Sequence, residues 1–336
     1  MAELVGNTAG LVNRPQELER VDRQLRRGRD VLVISPPASG LSTFLTQVQD
    51  HVHRAEHFVH WRSVEFDCQE LVSGSDGLAR CLCLGLLRDV DVGEVDADIV
   101  QEQQLASSVH RILQAAEDLS LVVVIDDLQV LSEDEIRSLL KQVRVVSESR
   151  QELRALNRIL FVLGGHTLDL RQLDPERSSP FNIAETVVLD DLAHQEAMRL
   201  VNNLLGESGR RYSQLAANHI CHLTGNHPYL LRQTCSHLID NTVPAVGRPS
   251  EISFEVVEHV VQAMCRDGRD PLLRQIESAV EDLSMPALKC LRDILNGARY
   301  TTAQESPPLR ELALTGLLTR SRGSTWMPRN PVFDQY

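Results

Sequence analysis

Three unbroken apolar runs constrain this chain more than anything else in it: Val31-Leu32-Val33-Ile34, Leu121-Val122-Val123-Val124-Ile125 and Ile159-Leu160-Phe161-Val162-Leu163. Each is short, rich in β-branched residues and closed by polar or turn-forming residues, which marks a strand rather than a helix. The closing residues are Ser35 to Gly40, Asp126-Asp127 and Gly164-Gly165. A strand apolar at every position needs apolar cover on both faces, and the segments between the runs carry helical spacing, as in Phe44, Leu45 and Val48. Strands alternating with helices predict an α/β fold with a parallel sheet.

Around these runs the spacing predicts helices over 11–28, 41–53, 78–88, 102–116 and 133–149, and a further strand within 57–67. From Leu189 onward the pattern turns to helices alone, with starts at Asp190 or Asp191, Ser213 and Pro228. A linker with two prolines and a glycine spans 243–250, helices follow near 283–296 and 308–314, and 316–319 with 324–327 read as a hairpin. The expected organisation is an α/β domain over 1–188, a helical domain over 189–242, and helices ending in a hairpin, suggestive of a winged helix, over 243–336.

Charge excludes some partners. With 34 basic and 47 acidic residues the 336-residue chain carries a formal −13, which repels nucleic acid and anionic membrane. Lysine occurs only at Lys141 and Lys289, so few amines are available for chemistry. The opening MAELVGNTAG lacks the charge and apolar core of a leader and no stretch reaches the length of a membrane span, from which a cytoplasmic, membrane-free protein is expected. Seven cysteines at 68, 81, 83, 221, 235, 265 and 290 form no CxxC pair and read as buried free thiols. His51, His53, His57 and His60 straddle a helix end and a strand start, and are read as surface residues lacking the fixed geometry of a zinc site.

The first strand, its loop and the next helix invite comparison with the phosphate-binding pattern G-x-x-x-x-G-K-[ST]. There small residues let backbone N–H groups surround phosphates at a helix N-terminus, a lysine reaches the β/γ oxygens, and a hydroxyl holds Mg²⁺. The chain reads Ser35-Pro36-Pro37-Ala38-Ser39-Gly40-Leu41-Ser42-Thr43: Gly40 and Ser42 match, Ser35 replaces the first glycine, and Leu41 stands where the lysine belongs. Asp126-Asp127 at a strand tip fit a Walker B pair, the first supporting Mg²⁺ and the second orienting water. A structural loop and a pair of helix-capping acids are the plain alternatives.

In sequence order Arg14-Pro15-Gln16-Glu17-Leu18, Pro36 to Gly40, Val123 to Asp127, Phe161 to Gly165 and Thr224-Gly225-Asn226-His227-Pro228-Tyr229-Leu230-Leu231 resemble the motifs of STAND-type and related AAA+ P-loop ATPases. The resemblance implies a P-loop NTPase core, a helical lid and a C-terminal winged helix closing near Asn330-Pro331-Val332-Phe333, in proteins that act as ATP-controlled switches or assembly platforms. It implies ATP or ADP contacts from Arg14, Ser39, Gly40, Leu41, Ser42, Thr43 and Pro228, a Mg²⁺ ligated by Ser42 and Asp126, and Asp127 as catalytic residue. His166 falls at the sensor 1 position, and Asn13 precedes Arg14 where the family has glycine.

Losing the lysine removes one or two charge-assisted hydrogen bonds of about 1.5–3 kcal/mol each, so ATP affinity is expected to fall by roughly tenfold to several hundredfold per bond. The expectation is therefore a degenerate ATPase module, a nucleotide-controlled or nucleotide-independent switch or scaffold whose partners are proteins or further copies of itself. The alternatives are an active ATPase with a substitute arginine, and a DNA-binding regulator using Arg299, Arg310, Arg320, Arg322 and Arg329.

Overall fold

A computed structural model describes residues 14–69, 78–89, 105–166, 184–241, 251–301, 306–320 and 325–335. Their contacts divide into two compact units, one of 15–35 with 41–189 and the other of residue 14, 36–40 and 190–335. The acidic stretch 90–98, Ser178 to Phe181, the 243–250 linker, the 321–324 turn and the Cys81 side chain lie outside the described structure.

The first unit holds α1 (Pro15–Leu25), β1 (Asp30–Ser35), α2 (Leu41–Arg54), β2 (Trp61–Asp67), α3 (Leu78–Asp89), α4 (Leu105–Ala115), β3 (Ser120–Asp126), α5 (Glu133–Ser149), β4 (Ile159–His166) and β5 (Ala184–Val188). All five strands are parallel, in the order β2-β3-β4-β1-β5. The apolar runs sort by parity, as the pleat requires. Val31, Val33, Val122, Val124, Leu160 and Val162 face α1 and α2. Leu32, Ile34, Leu121, Val123, Ile125, Ile159, Phe161 and Leu163 face α3, α4 and α5.

Polar residues anchor this sheet where its helices end. Asp30 is 1% exposed and its carboxylate accepts from Arg150 (2.6 Å), from the Phe161 N–H (2.9 Å) and from Ser147. Helix α5 begins in a capping box, with Ser132 and Glu135 satisfying each other's backbone N–H groups. Strand β5 escaped the sequence reading because an edge strand shows little pattern: only Val187 of its five residues is buried.

The second unit contains α6 (His194–Glu207), β6 (Arg211–Tyr212), α7 (Gln214–Leu223), α8 (Pro228–Asn241), β7 (Glu251–Ile252), α9 (Phe254–Asp267), α10 (Pro271–Glu281), α11 (Met285–Leu295), β8 (Tyr300–Thr301), α12 (Pro307–Leu314), β9 (Leu318–Arg320), β10 (Thr325–Pro328) and α13 (Pro331–Gln335). The expectation of a purely helical stretch over 189–242 needs correcting, since it contains β6, which pairs with β7, and β8 joins β10 and β9 in a small sheet. The expected hairpin is present, β9 and β10 pairing antiparallel. One apolar core gathers Leu200, Ile220, Leu231, Val257, Leu273, Leu317 and Val332, and a smaller one joins Ala287, Ile294, Leu309, Leu312 and Trp326.

Candidate functional site

The loop after β1 takes its shape from its sequence. Pro36-Pro37 fix two φ angles, after which Ala38 and Gly40 adopt left-handed backbone at φ +56 and +85. Gly40 does so without strain, whereas a left-handed alanine costs of order 1 kcal/mol, a cost typical of ligand-binding loops. Ser39 between them is fully buried.

Two arginines hold Ser39. Arg14, 4% exposed, donates to its carbonyl (2.9 Å) and to that of Asp190 (2.8 Å). Arg329, from the turn between β10 and α13, donates to the Ser39 hydroxyl (2.9 Å) and grips both carboxylate oxygens of Asp191 at 2.8 Å. Burial pushes the Asp191 carboxyl above its ordinary range, against the pull of Arg329. The Thr224 to Pro228 motif packs on this arrangement. Gly225, at φ +59, lies so close to Asn330 and Arg329 that a Cβ there would meet the Asn330 Cβ at 2.6 Å and the Arg329 carbonyl at 2.9 Å. His227 is fully buried, and burial followed by the charges of Arg329 and Arg14 holds its pKa well below the usual 6.5. Neither ring nitrogen has a hydrogen-bond partner among the described residues, nor do Asn226 Oδ1 and Asn330 Nδ2. Pro228 opens α8 directly after His227.

The residues that follow Gly40 belong to the first unit. Leu41 is 4% exposed and packs in the core with Phe44, Leu45 and Val48. Its position is one of packing, which accounts for an apolar residue where a lysine is usual. Ser42 is exposed and hydrogen-bonds Asp126, while Thr43 is half-buried. Asp126 ends β3, 5% exposed, and its Oδ1 accepts from the Asp127 N–H at 2.7 Å. Burial raises its pKa, the Ser42 hydrogen bond opposes the rise, and the charges of Asp127 and Glu65 add to it. A carboxylate held this way is suited to a cation that would lower its pKa again. Asp127 has left-handed backbone (φ 59) and its carboxylate accepts from Gln129 (2.6 Å) and Gln69 (3.3 Å). Gln129 in turn accepts from the His166 N–H (3.3 Å), and His166 Nδ1 lies 3.4 Å from the Ser35 hydroxyl. Gly164 leaves room for the pair, as a Cβ there would stand 3.2 Å from Asp126 Oδ1 and 2.5 Å from Leu45.

The predicted residues thus fall into two groups, Arg14, Ser39, Gly40 and Pro228 in one unit and Leu41, Ser42, Thr43, Asp126 and Asp127 in the other. Sequence reasoning named Arg329 as a nucleic-acid candidate and Asp191 as a possible helix start, and did not join either to Ser39. Their only signal was position, Arg329 directly before Asn330-Pro331 and Asp191 at a helix start. The Ser42–Asp126 pair fits a hydrated Mg²⁺, and the buried unpartnered atoms of Asn226, His227 and Asn330 fit a polar ligand. Four buried cysteines make poor nucleophiles: burial pushes the Cys68, Cys83 and Cys235 thiols to about 12 and Cys221 to about 11. The six described cysteines are all free. No helix among the described residues is long and apolar enough to cross a membrane.

A five-stranded parallel sheet with a strand, loop and helix at β1, and paired acids at the tip of β3 two strands away, is the core of a P-loop ATPase-related protein. More closely, the chain belongs to the AAA-like domain family, whose sequence model matches residues 5–246. Solved structures share the fold over nearly the whole chain at low identity. A Walker-type ATPase of Pyrococcus abyssi superposes with TM-score 0.58 at 14% identity, covering 96% of this chain and 95% of its own. The ORC2 protein of Aeropyrum pernix, solved in ADPNP and ADP complexes, gives 0.53 at 14%, covering 96% and 92%. The RuvB Holliday junction branch migration motor of Thermotoga maritima gives 0.50 at 12%, covering 94% and 92%. No curated protein matches the chain by sequence.

Proposed function

We propose that this chain is a degenerate AAA-like ATPase module, working as a switch or scaffold for protein assembly, with weak nucleotide binding and little or no hydrolysis. The observation that carries the reading is Leu41: the position that should supply the phosphate-binding cation is buried among apolar side chains. The Ser39 loop supports it, since Arg14 and Arg329 bind its carbonyl and hydroxyl while Asp191 brings a negative charge beside them. In this reading 189–242 serves as lid, 243–336 as winged helix, and the output is association with protein partners or further copies. A net charge of −13 argues against nucleic acid as the partner.

A Mg²⁺ held with a bound nucleotide would supply positive charge to its phosphates. The chain's own residues would contribute metal ligation at Ser42 and Asp126 and water orientation at Asp127. The retained Ser42, Asp126 and Asp127 favour the second reading, an active ATPase in which a substitute arginine replaces the lysine. Calorimetric titration with MgATP and MgADP, paired with sedimentation velocity, tests the first reading. It expects dissociation constants of about 100 μM or weaker and an assembly state that survives with nucleotide removed. Low-micromolar MgATP binding that Asp126→Ala abolishes would support the active ATPase instead.

A further inference from the structure

A second polar cluster lies in the first unit, built on three separate elements. Asp22 projects from α1, His51 from the last turn of α2, and His57 from the short 3-10 turn over Glu56–Phe58. The Asp22 Oδ1 atom lies 2.9 Å from His51 Nε2 and 2.7 Å from His57 Nε2, and the three atoms fall within 4.8 Å of one another. The sequence expectation of surface histidines holds for His57, which is exposed, while His51 is half-buried; that both converge on one acid was not foreseen. The turn that ends α2 brings both onto the buried acid. His53 pairs instead with the Ser63 hydroxyl at 2.8 Å.

We propose that Asp22 Oδ1, His51 Nε2 and His57 Nε2 form a binding site for a divalent transition metal, zinc in first place. Two imidazole nitrogens and one carboxylate oxygen are a donor set that zinc prefers, and three protein ligands leave a further coordination position. The ligands are held from behind. Asp22 is 9% exposed at its side chain, and its other oxygen is tied by Arg26 at 2.7 Å, which leaves Oδ1 as the single donor facing the histidines. The His57 ring packs on Phe58 with centroids 4.4 Å apart, and Phe58 meets Trp61 at 5.8 Å. The two histidines are about one-third exposed, so the open position faces water.

Zinc bonds of about 2.0–2.1 Å at tetrahedral angles set ligand atoms roughly 3.3 Å apart. The two separations from Asp22 Oδ1 need to widen by about half an ångström, which side-chain torsions accommodate. On binding, each neutral imidazole shifts its ring proton from Nε2 to Nδ1 and releases none, while a charged one releases one proton to solvent. The metal would clip α1 to the end of α2 and the turn beyond it, without reference to nucleotide.

Zinc titration of the chelator-treated full chain tests the proposal, with Co²⁺ absorption as a second readout. Wild type is expected to bind one Zn²⁺ per chain, to gain thermal stability on doing so, and to show the Co²⁺ visible bands of nitrogen and oxygen ligation. His57→Gln should weaken binding by about tenfold or more, the His51→Gln/His57→Gln pair should abolish it, and His53→Gln and His60→Gln should leave it unchanged. Equal zinc affinity in wild type and the double variant would overturn the site. So would the absence of Co²⁺ bands from wild type, a result that does not depend on any variant folding.

Discussion

Leu41 is where packing and chemistry make opposing demands on one residue. As a core residue at 4% exposure it should cost about 2–5 kcal/mol to truncate, while Leu41→Met should cost under about 1.5 kcal/mol, both readable by urea denaturation. Leu41→Lys tests the same point: it should lower stability, because its stem must either bury an amine or leave the core. The buried His227 makes a second demand. Its folded pKa lies below the unfolded 6.5, so the unfolded chain binds the extra proton. The contribution is then fully present above about pH 6.5 and is lost as the pH falls below it. Unfolding free energy, read by urea denaturation, should therefore drop between pH 7.5 and 5.5 by more in wild type than in His227→Gln, by up to about 1.4 kcal/mol per pH unit. Equal pH slopes in the two proteins would contradict the burial of a neutral ring. At this scale the sequence was only partly legible. Ser42, Asp126 and Asp127 stand out because strand tips and loop spacing mark them, whereas Arg329 and Asp191 carry no local pattern and are joined to Ser39 only by the fold.

Elements succeed or fail by the contacts at their ends. Gly225 closes α7 with a left-handed turn pressed against the backbone of Arg329 and Asn330, and Gly28 closes α1 with a left-handed turn in open space. Gly28→Ala should cost about 1 kcal/mol, the strain of a positive φ alone. Gly225→Ala should cost clearly more and should also loosen the 329–330 turn, seen as faster amide exchange there. Similar costs for the two would show that the close approach carries no energy. In the sheet, Arg150→Ala leaves the Asp30 carboxylate buried with its ion partner removed and should cost about 3–5 kcal/mol in thermal or urea unfolding. The central strands β1, β3 and β4 were readable because burial on both faces writes an uninterrupted apolar run. The edge strand β5, the two-residue strands β6, β7 and β8, and helices α9 and α10 were missed, the strands because short or half-exposed segments leave no such run. Asp30 reads in sequence as a polar boundary to β1, and the structure makes it the strand's anchor.

Over residues 5–246 the chain belongs to the AAA-like family, and in the proposed reading position 41 has passed from phosphate binding to core packing. The formal charge of −13 predicts no measurable binding to duplex DNA at physiological salt in a gel-shift titration. A complex whose affinity falls steeply with salt would revive a nucleic-acid role for the arginines near the C-terminus. The central claim is that position 41 serves the core and that the arginines on Ser39 do not restore catalysis. Steady-state phosphate release from MgATP, in wild type and Asp126→Ala side by side, tests it most directly. The account predicts rates at the background of the assay and no difference between the two proteins. Sustained turnover by wild type that Asp126→Ala abolishes would contradict it and favour the active ATPase with a substitute cation.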